Sequence, residues 1–218
     1  MCGRYTIDDG EEVVEMRKIF EKLRDYYSGT EEYRKVKRGE IFPTYTVPVI
    51  IPERSTNVDI IPMQWGFKPV QAGGRALINA RSETVFEKPT FRESIRNRRC
   101  VIPANGFFEW ANRPDENGKP KKQKYLIEHP ESPTLFFAGI YDEKLELDHY
   151  DKPNSKKKLV HFVILTRESR GLVRSLHHRM PVTMAKRDIL KWLNGGEKHI
   201  RELCTDLNIP EFKFRESY

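Results

Sequence analysis

Short apolar runs bounded by turn-forming residues dominate this chain, and they constrain its fold more than any other feature. Runs of this length, rich in β-branched and aromatic residues, are typical of β-strands. They predict strands at residues 47–51, 58–67, 100–110, 125–128, 135–141 and 159–166. Turn residues at 112–118 and 151–155 predict two exposed hairpin loops between strands.

Helical patterns flank these strands. After Asp9 and Gly10, apolar residues recur every three or four positions and predict an amphipathic helix over 13–27. Further helices are predicted over 186–193, around 199–203 and from Ala80 onwards, where Asn79 would serve as the cap. Hairpin-linked strands with such helices predict an α+β fold, in which a largely antiparallel sheet or open β-barrel-like core has flanking helices.

Length, charge and cysteine content restrict the class of protein. The 218 residues predict a single domain spanning 1–218, because typical domains have roughly 50–250 residues. Lys and Arg outnumber Asp and Glu by 39 to 32, and the resulting charge of +7 favours polyanionic partners. Three cysteines without a C-x-x-C pair argue against a disulfide framework or a structural zinc site. We expect a soluble, cytoplasmic monomer that needs no metal or organic cofactor and does not enter a membrane.

The first four residues, Met1-Cys2-Gly3-Arg4, point to chemistry at the chain terminus. Removal of Met1 would leave Cys2 with an amine and a thiol on neighbouring carbons. Reference pKa values of about 7.7–8.0 for the amine and about 8.5 for the thiol make both partly nucleophilic near neutrality. The competing interpretation is that Cys2 is simply a small buried residue.

Three polar side chains elsewhere are candidates for a site with Cys2. Glu109 lies between aromatic residues in an apolar run, where burial would raise its pKa and suit proton transfer. His177 or His178 would supply an imidazole, and Asn79 an amide that orients a ligand. Each of the three also has an ordinary structural interpretation.

Five motifs taken together resemble those of the abasic-site processing proteins, the SOS-response-associated peptidase (SRAP) family. In chain order they are Met-Cys-Gly-Arg at the start, Trp65-Gly66, Asn79-Ala80-Arg81, Gly106-Phe107-Phe108-Glu109-Trp110 and His177-x-Arg179-Met180-Pro181. The resemblance implies a sensor of abasic sites in single-stranded DNA that crosslinks itself to the lesion. The Cys2 amine would form an imine with the ring-opened sugar, and the thiol would close a thiazolidine.

The resemblance also implies roles for individual residues. Glu109 would move protons during imine formation and Met1 removal, His177 would assist sugar-ring opening or reversal of the crosslink, and Asn79 would position the terminus or the sugar. The arginines of the motifs would bind DNA phosphates, and Trp65 or Phe67 would stack on bases unless they belong to the core. The DNA contacts implied are Arg4, Trp65, Arg81 and Arg179.

Two positions depart from the family pattern. Counting back from Arg179-Met180-Pro181 makes His177 the histidine of the motif. The family commonly has an acidic residue directly after this histidine, whereas this chain has His178, so both histidines stay candidates. Residues 42–46 lack the Asn-x-Ala-Pro pattern.

Two other functions fit parts of the sequence. N-terminal-nucleophile amidohydrolases, such as glutaminases, also use a terminal cysteine whose amine acts as the base. A basic nucleic-acid-binding module without a covalent step would show binding that weakens steeply with salt.

Overall fold

The computed structural model describes residues 2–54, 56–68, 76–147, 156–205 and 211–217, and these form two β-sheets with helices around them. The strands are β1 Tyr5–Ile7, β2 Gly39–Ile41, β3 Thr46–Arg54, β4 Asn57–Trp65, β5 Asn79–Arg81, β6 Arg99–Ala104, β7 Gly106–Pro114, β8 Pro120–Glu128, β9 Leu135–Leu147, β10 Lys156–Glu168, β11 Arg179–Pro181, β12 Thr183–Met184 and β13 Lys213–Ser217. The helices are α1 Val14–Tyr27, α2 Glu31–Arg34, α3 Arg92–Asn97, α4 Gly171–Arg174, α5 Ile189–Asn194 and α6 Glu197–Thr205, with a 3₁₀ turn at Lys186–Asp188.

The smaller sheet is antiparallel throughout, in the order β13-β8-β7-β1-β2. Strands β7 and β8 form a long hairpin whose turn is held by Asp115. Its Oδ1 accepts hydrogen bonds from the backbone N–H groups of Asn117 and Lys119, at 2.9 and 2.8 Å. The amino-terminal strand β1 lies inside this sheet, with a neighbour on each side.

The larger sheet has eight strands and follows the order β11-β10-β4-β3-β6-β9-β12, with β5 paired to β10. Strand β9 also pairs with β10, so the path of strand pairings β10-β4-β3-β6-β9 returns to β10. Within this path, β3 and β6 share a single residue pair. Only the pairings of β10 with β4 and β5 are parallel among the strand pairs described. The predicted α+β class with a largely antiparallel, open barrel-like core is confirmed.

The helix α1 covers the larger sheet. Its buried residues Met16, Ile19, Phe20 and Leu23 recur at helical spacing and pack towards β3 and β4. Burying each such side chain contributes roughly 1.5–3 kcal/mol. The apolar stripe that predicted this helix is thus the surface that attaches it to the core. In the described part of the chain, no helix is both long enough and apolar enough to cross a membrane.

Most predicted elements are present, and one is wrong. The run 100–110 divides into β6 and β7 at Asn105, and the 112–118 hairpin is tighter than predicted because β7 continues to Pro114. The helices at 186–193 and 199–203 correspond to the 3₁₀ turn with α5, and to α6. The helix predicted from Ala80 is instead strand β5, because these three residues pair with β10. The loop 151–155 lies outside the described residues.

Gly139 provides a test of the packing between sheet strands. It lies in β9 between β6 and β10, and an added Cβ would overlap Ile102 Cδ1 and lie 3.1 Å from the Val163 carbonyl oxygen. We expect Gly139→Ala to lower the free energy of unfolding by roughly 1–3 kcal/mol, because overpacking forces neighbours to move. Urea denaturation measures this change. Gly196→Ala is the matched control, since open space surrounds Gly196. Equal midpoints for the two variants would contradict the described packing.

Candidate active site

The first residues of the chain run along strand β7. Strands β1 and β7 are antiparallel with Tyr5 opposite Phe107, and the Phe108 N–H donates to the Arg4 carbonyl at 2.9 Å. Residue numbers run in opposite directions along such a pair. The residues that precede Arg4 therefore continue alongside Glu109.

Strand β5 brings an amide to the same place. It pairs in parallel with β10, with Asn79 opposite Ile164, and Asn79 Nδ2 donates to the Cys2 carbonyl oxygen at 2.8 Å. Asn79 Oδ1 is buried and has no hydrogen-bond partner within the described residues. A buried acceptor without a partner costs about 1–3 kcal/mol, so this oxygen is suited to a further donor.

The thiol of Cys2 lies in a buried environment. Cys2 has no solvent-exposed surface, and its Sγ lies 3.8 Å from the Arg4 carbonyl oxygen. Burial raises the pKa of the thiol far above its usual range, and the negative charge of Glu109 raises it further. The thiol is therefore protonated, and it interacts electrostatically with Glu109. Met1 lies outside the described residues.

Glu109 is a buried carboxyl group in the middle of β7, with 3% of its surface exposed. Burial raises the pKa of Glu109 to about 7. Near neutral pH the group therefore exchanges readily between its acid and carboxylate forms. The sequence-based expectation of a desolvated carboxyl matches this environment.

His177 is held in one orientation by the backbone. The Arg179 N–H donates to His177 Nδ1 at 2.9 Å, and the Arg179 carbonyl oxygen lies 3.2 Å from the same nitrogen. Burial lowers the pKa of His177, so the ring is mainly neutral at pH 7. His178 is exposed, and its ring centroid lies 4.3 Å from that of His177.

One open cavity of about 450 Å³ joins two of these groups. Glu109 and His177 both line it, together with Trp110, Arg113, Lys122 and other residues of β7 and the segment after α4. His178 is not among the residues that line this cavity. The structure thus links Cys2 with Asn79 and Glu109, and it places His177, rather than His178, at the cavity that Glu109 lines.

Two of the three candidate arginines are accessible from outside. Arg81 is exposed on β5, two residues after Asn79. Arg4 donates to Glu40 at 3.0 Å, and its guanidinium lies over the rings of Phe42 and Trp110, at 4.1 and 5.1 Å from their centroids. Both are therefore partly or fully accessible to a strand that approaches the site.

Arg179 does not fit the role of a phosphate ligand. Its guanidinium is buried and forms two hydrogen bonds with the Glu83 carboxylate, at 2.7 and 2.9 Å, and a third with the Thr166 carbonyl. A bidentate Arg–carboxylate pair already uses the geometry that would bind a phosphate. The pair instead fixes the backbone that supports His177.

Trp65 does not fit a base-stacking role either. The ring is fully buried, donates from Nε1 to the Ile78 carbonyl at 2.9 Å, and makes an edge contact with Tyr5 at 5.0 Å between centroids. Phe67 is buried as well. A core role was the alternative for both aromatic residues, and both lie in the core. Trp65 supports the segment that leads into Asn79.

Seven residues that line the cavity were not predicted as site residues from the sequence. They include Trp110, Arg113 and Lys122, on the two strands of the β7–β8 hairpin. Two features of the sequence could have pointed to these residues. The alternation of side chains between the two faces of a strand continues past Glu109, and several lysines follow the predicted turn.

The raised pKa of Glu109 predicts an unusual dependence of stability on pH. An unfolded glutamate has a pKa of about 4.3, so between about pH 4.5 and 7 the folded chain holds a proton that the unfolded chain has lost. The contribution of Glu109 to the free energy of unfolding should therefore fall by on the order of 3 kcal/mol as the pH rises through this window. Urea titrations of wild type and Glu109→Gln from pH 4.5 to 8 measure it. The difference in free energy of unfolding between the two proteins should change across this pH window. Parallel profiles would contradict the raised pKa of Glu109.

This chain is similar to known proteins both in sequence and in fold. The sequence pattern of the SOS response associated peptidase (SRAP) family matches residues 1–216. Similar proteins include the abasic site processing proteins YoqW and YoaM of Bacillus subtilis (strain 168), 30% identical over 200 residues and 31% identical over 205 residues. Each alignment covers 89% of this chain, and they cover 80% and 79% of the two relatives.

A more distant relative is the abasic site processing protein HMCES of Rattus norvegicus, 28% identical over 176 residues, which are 66% of this chain and 47% of that protein. Among solved structures, a Bacteroides thetaiotaomicron protein matches with a TM-score of 0.73 and 22% identity, over 100% of this chain and 92% of the other. A Bordetella bronchiseptica protein matches with a TM-score of 0.71 and 19% identity, over the whole of both chains. These two structures show that the fold is shared.

Proposed function

Because this chain belongs to the SOS response associated peptidase (SRAP) family, we propose that it processes abasic sites in single-stranded DNA by capturing them covalently on Cys2. The observation that carries the proposal is a chain of contacts that links these residues. Asn79 donates to the Cys2 carbonyl, Cys2 interacts electrostatically with Glu109, and Glu109 shares a cavity with His177. The names of its relatives as abasic site processing proteins agree with this choice of substrate.

The first proposed step is removal of Met1 by hydrolysis of the peptide bond that precedes Cys2. Water adds to the Met1 carbonyl carbon, and the Cys2 nitrogen leaves as an amine. Glu109, with a pKa of about 7, accepts the proton from the attacking water and returns it to that nitrogen. The hydrogen bond from Asn79 to the Cys2 carbonyl holds the residue after the cleaved bond in place.

The second proposed step joins the liberated amine to the lesion. The amine adds to the C1′ aldehyde of the ring-opened sugar, and the resulting carbinolamine loses its hydroxyl as water to give an imine. Glu109 in its acid form supplies the proton for that water. His177, a mainly neutral imidazole oriented by the backbone of Arg179, assists opening of the sugar ring. Asn79 Oδ1 is suited to accept a hydrogen bond from the amine or a sugar hydroxyl.

The final proposed step closes the ring. The Cys2 sulfur bonds to the imine carbon, and the thiol proton passes through Glu109 to the nitrogen, so that joining the sugar to Cys2 releases one water in all. The Cys2 thiol is buried and protonated, which means that it needs a base at this step. Closure removes the imine that would otherwise hydrolyse or permit strand cleavage by β-elimination.

Variants of Cys2 test this sequence of steps. We expect wild type to give a denaturant-resistant band with single-stranded DNA that contains one abasic site. Cys2→Ala should reduce the stable band by at least about tenfold, and Cys2→Ser should give an imine that is retained only after borohydride reduction. Denaturing gels with and without borohydride measure these yields.

Cys204→Ala is the matched control, because this buried thiol lies in α6 and away from the cavity. It should crosslink like wild type. Stable yields that are equal in wild type, Cys2→Ala and Cys2→Ser would reject capture as a thiazolidine on Cys2. Release of glutamate from glutamine by wild type, without any DNA adduct, would instead support an amidohydrolase.

A further inference from the structure

The outer half of the β7–β8 hairpin carries cations that no step of the proposed reaction uses. In the strand register Arg113 lies directly opposite Lys121, and Asn112 lies opposite Lys122. All four side chains are exposed. The hairpin therefore presents a cationic surface, defined here as Arg113, Lys121 and Lys122, beyond the buried part of β7.

The opposed pair Arg113 and Lys121 is unfavourable for the hairpin alone. Side chains directly opposite in an antiparallel pair share a face, with Cβ atoms about 4.5–5.5 Å apart, and like charges there destabilise the pairing. Within the described residues, neither cation has a salt bridge to a carboxylate, and Arg113 Nε donates instead to the Tyr125 hydroxyl at 3.2 Å.

Two acidic residues lie nearby, and they do not cancel this charge. Asp115 and Glu116 line the same shallow cavity as Arg113 and Lys121. Asp115 Oδ1, however, is occupied by the backbone N–H groups that close the turn. With Lys122 included, three cations lie against two carboxylates, so the surface keeps a net positive charge.

The cationic surface is continuous with the candidate active site. Arg113 and Lys122 line the cavity that contains Glu109 and His177, and Arg113 also lines the shallow cavity that contains Lys121. Arg113 therefore connects the two cavities. A polyanion that follows them meets all three cations.

We propose that the outer β7–β8 hairpin binds the phosphates of the DNA strand beyond the lesion, with Arg113, Lys121 and Lys122 as the contacts. This inference rests on the proposed function for the identity of the polyanion as single-stranded DNA. A phosphate between Arg113 and Lys121 turns their mutual repulsion into two attractive contacts. Phosphate binding therefore explains why the like charges of Arg113 and Lys121 lie opposite each other in this hairpin.

Lys121→Glu separates binding from folding, because it places opposite charges across the hairpin. We expect this variant to unfold at a higher urea concentration than wild type. The binding probe is unmodified single-stranded DNA of about 20 nucleotides, which is longer than the roughly 4–16 nucleotides that one oligonucleotide-binding (OB) fold covers. Lys121→Glu should bind this DNA about five- to tenfold more weakly than wild type does. The slope of log K against log salt should become shallower by about 0.7 for each phosphate that the protein no longer neutralises. Fluorescence anisotropy at several salt concentrations measures both the affinity and the slope.

Two further variants control for charge and for side-chain chemistry. Lys18→Glu makes the same change of charge on an exposed position of α1, away from the cavity, and should leave the slope unchanged. Lys121→Arg should bind like wild type. Equal affinity and slope for wild type and Lys121→Glu, or an equal reduction in Lys18→Glu, would overturn the proposal.

Crosslinking to a trinucleotide with a central abasic site distinguishes the hairpin from the reaction itself. Lys121→Glu should lower the yield of crosslink less with this short substrate than with a strand of about 20 nucleotides, because the trinucleotide carries few phosphates beyond the lesion. An equal loss of crosslink with both substrates would overturn the placement of Lys121 beyond the lesion. If wild type forms no crosslink at all, the proposed function fails, while the anisotropy data still decide whether the hairpin binds DNA.

Discussion

The pairing of β1 with β7 is the constraint on which the rest of the site depends. It holds the start of the chain inside a sheet, between β2 and β7, and carries Cys2 to Glu109. The hydrogen bond from Asn79 then ties Cys2 to the larger sheet. The site is thereby buried, and burial raises the pKa of both the thiol and the carboxyl group. A terminus that was free in solution would have neither a fixed position nor an altered protonation state.

Much of the fold could be predicted from the sequence, because long elements carry their own patterns. Helix α1 has a full stripe of apolar residues, and β3, β4, β9 and β10 contain long apolar runs. Short elements carry weaker signals. Strand β5 has three residues and exists because β10 supplies its partner, so local sequence could not separate it from a helix that begins at Ala80.

The candidate site could be predicted in part. Motif order identified Asn79, Glu109 and His177, yet the sequence kept both histidines as candidates, and in the structure His177 lines the cavity whereas His178 does not. Arg179 and Trp65 show the limit of this approach, because a motif fixes residue identity without fixing exposure. Arg179 pairs with Glu83, far away in sequence, and Trp65 packs on Tyr5. Such contacts depend on the tertiary fold, which a pattern of residues does not contain.

The most direct test of covalent capture is the mass of the amino-terminal peptide after reaction with abasic single-stranded DNA and digestion of both components. We expect a peptide that begins at Cys2, lacks Met1, and carries the sugar with the loss of one water. Tandem fragmentation should place the adduct on Cys2, and its mass should stay the same under borohydride, because a thiazolidine has no imine to reduce. An adduct on a peptide that retains Met1, or one located on any other residue, would contradict capture by the amine and thiol of Cys2.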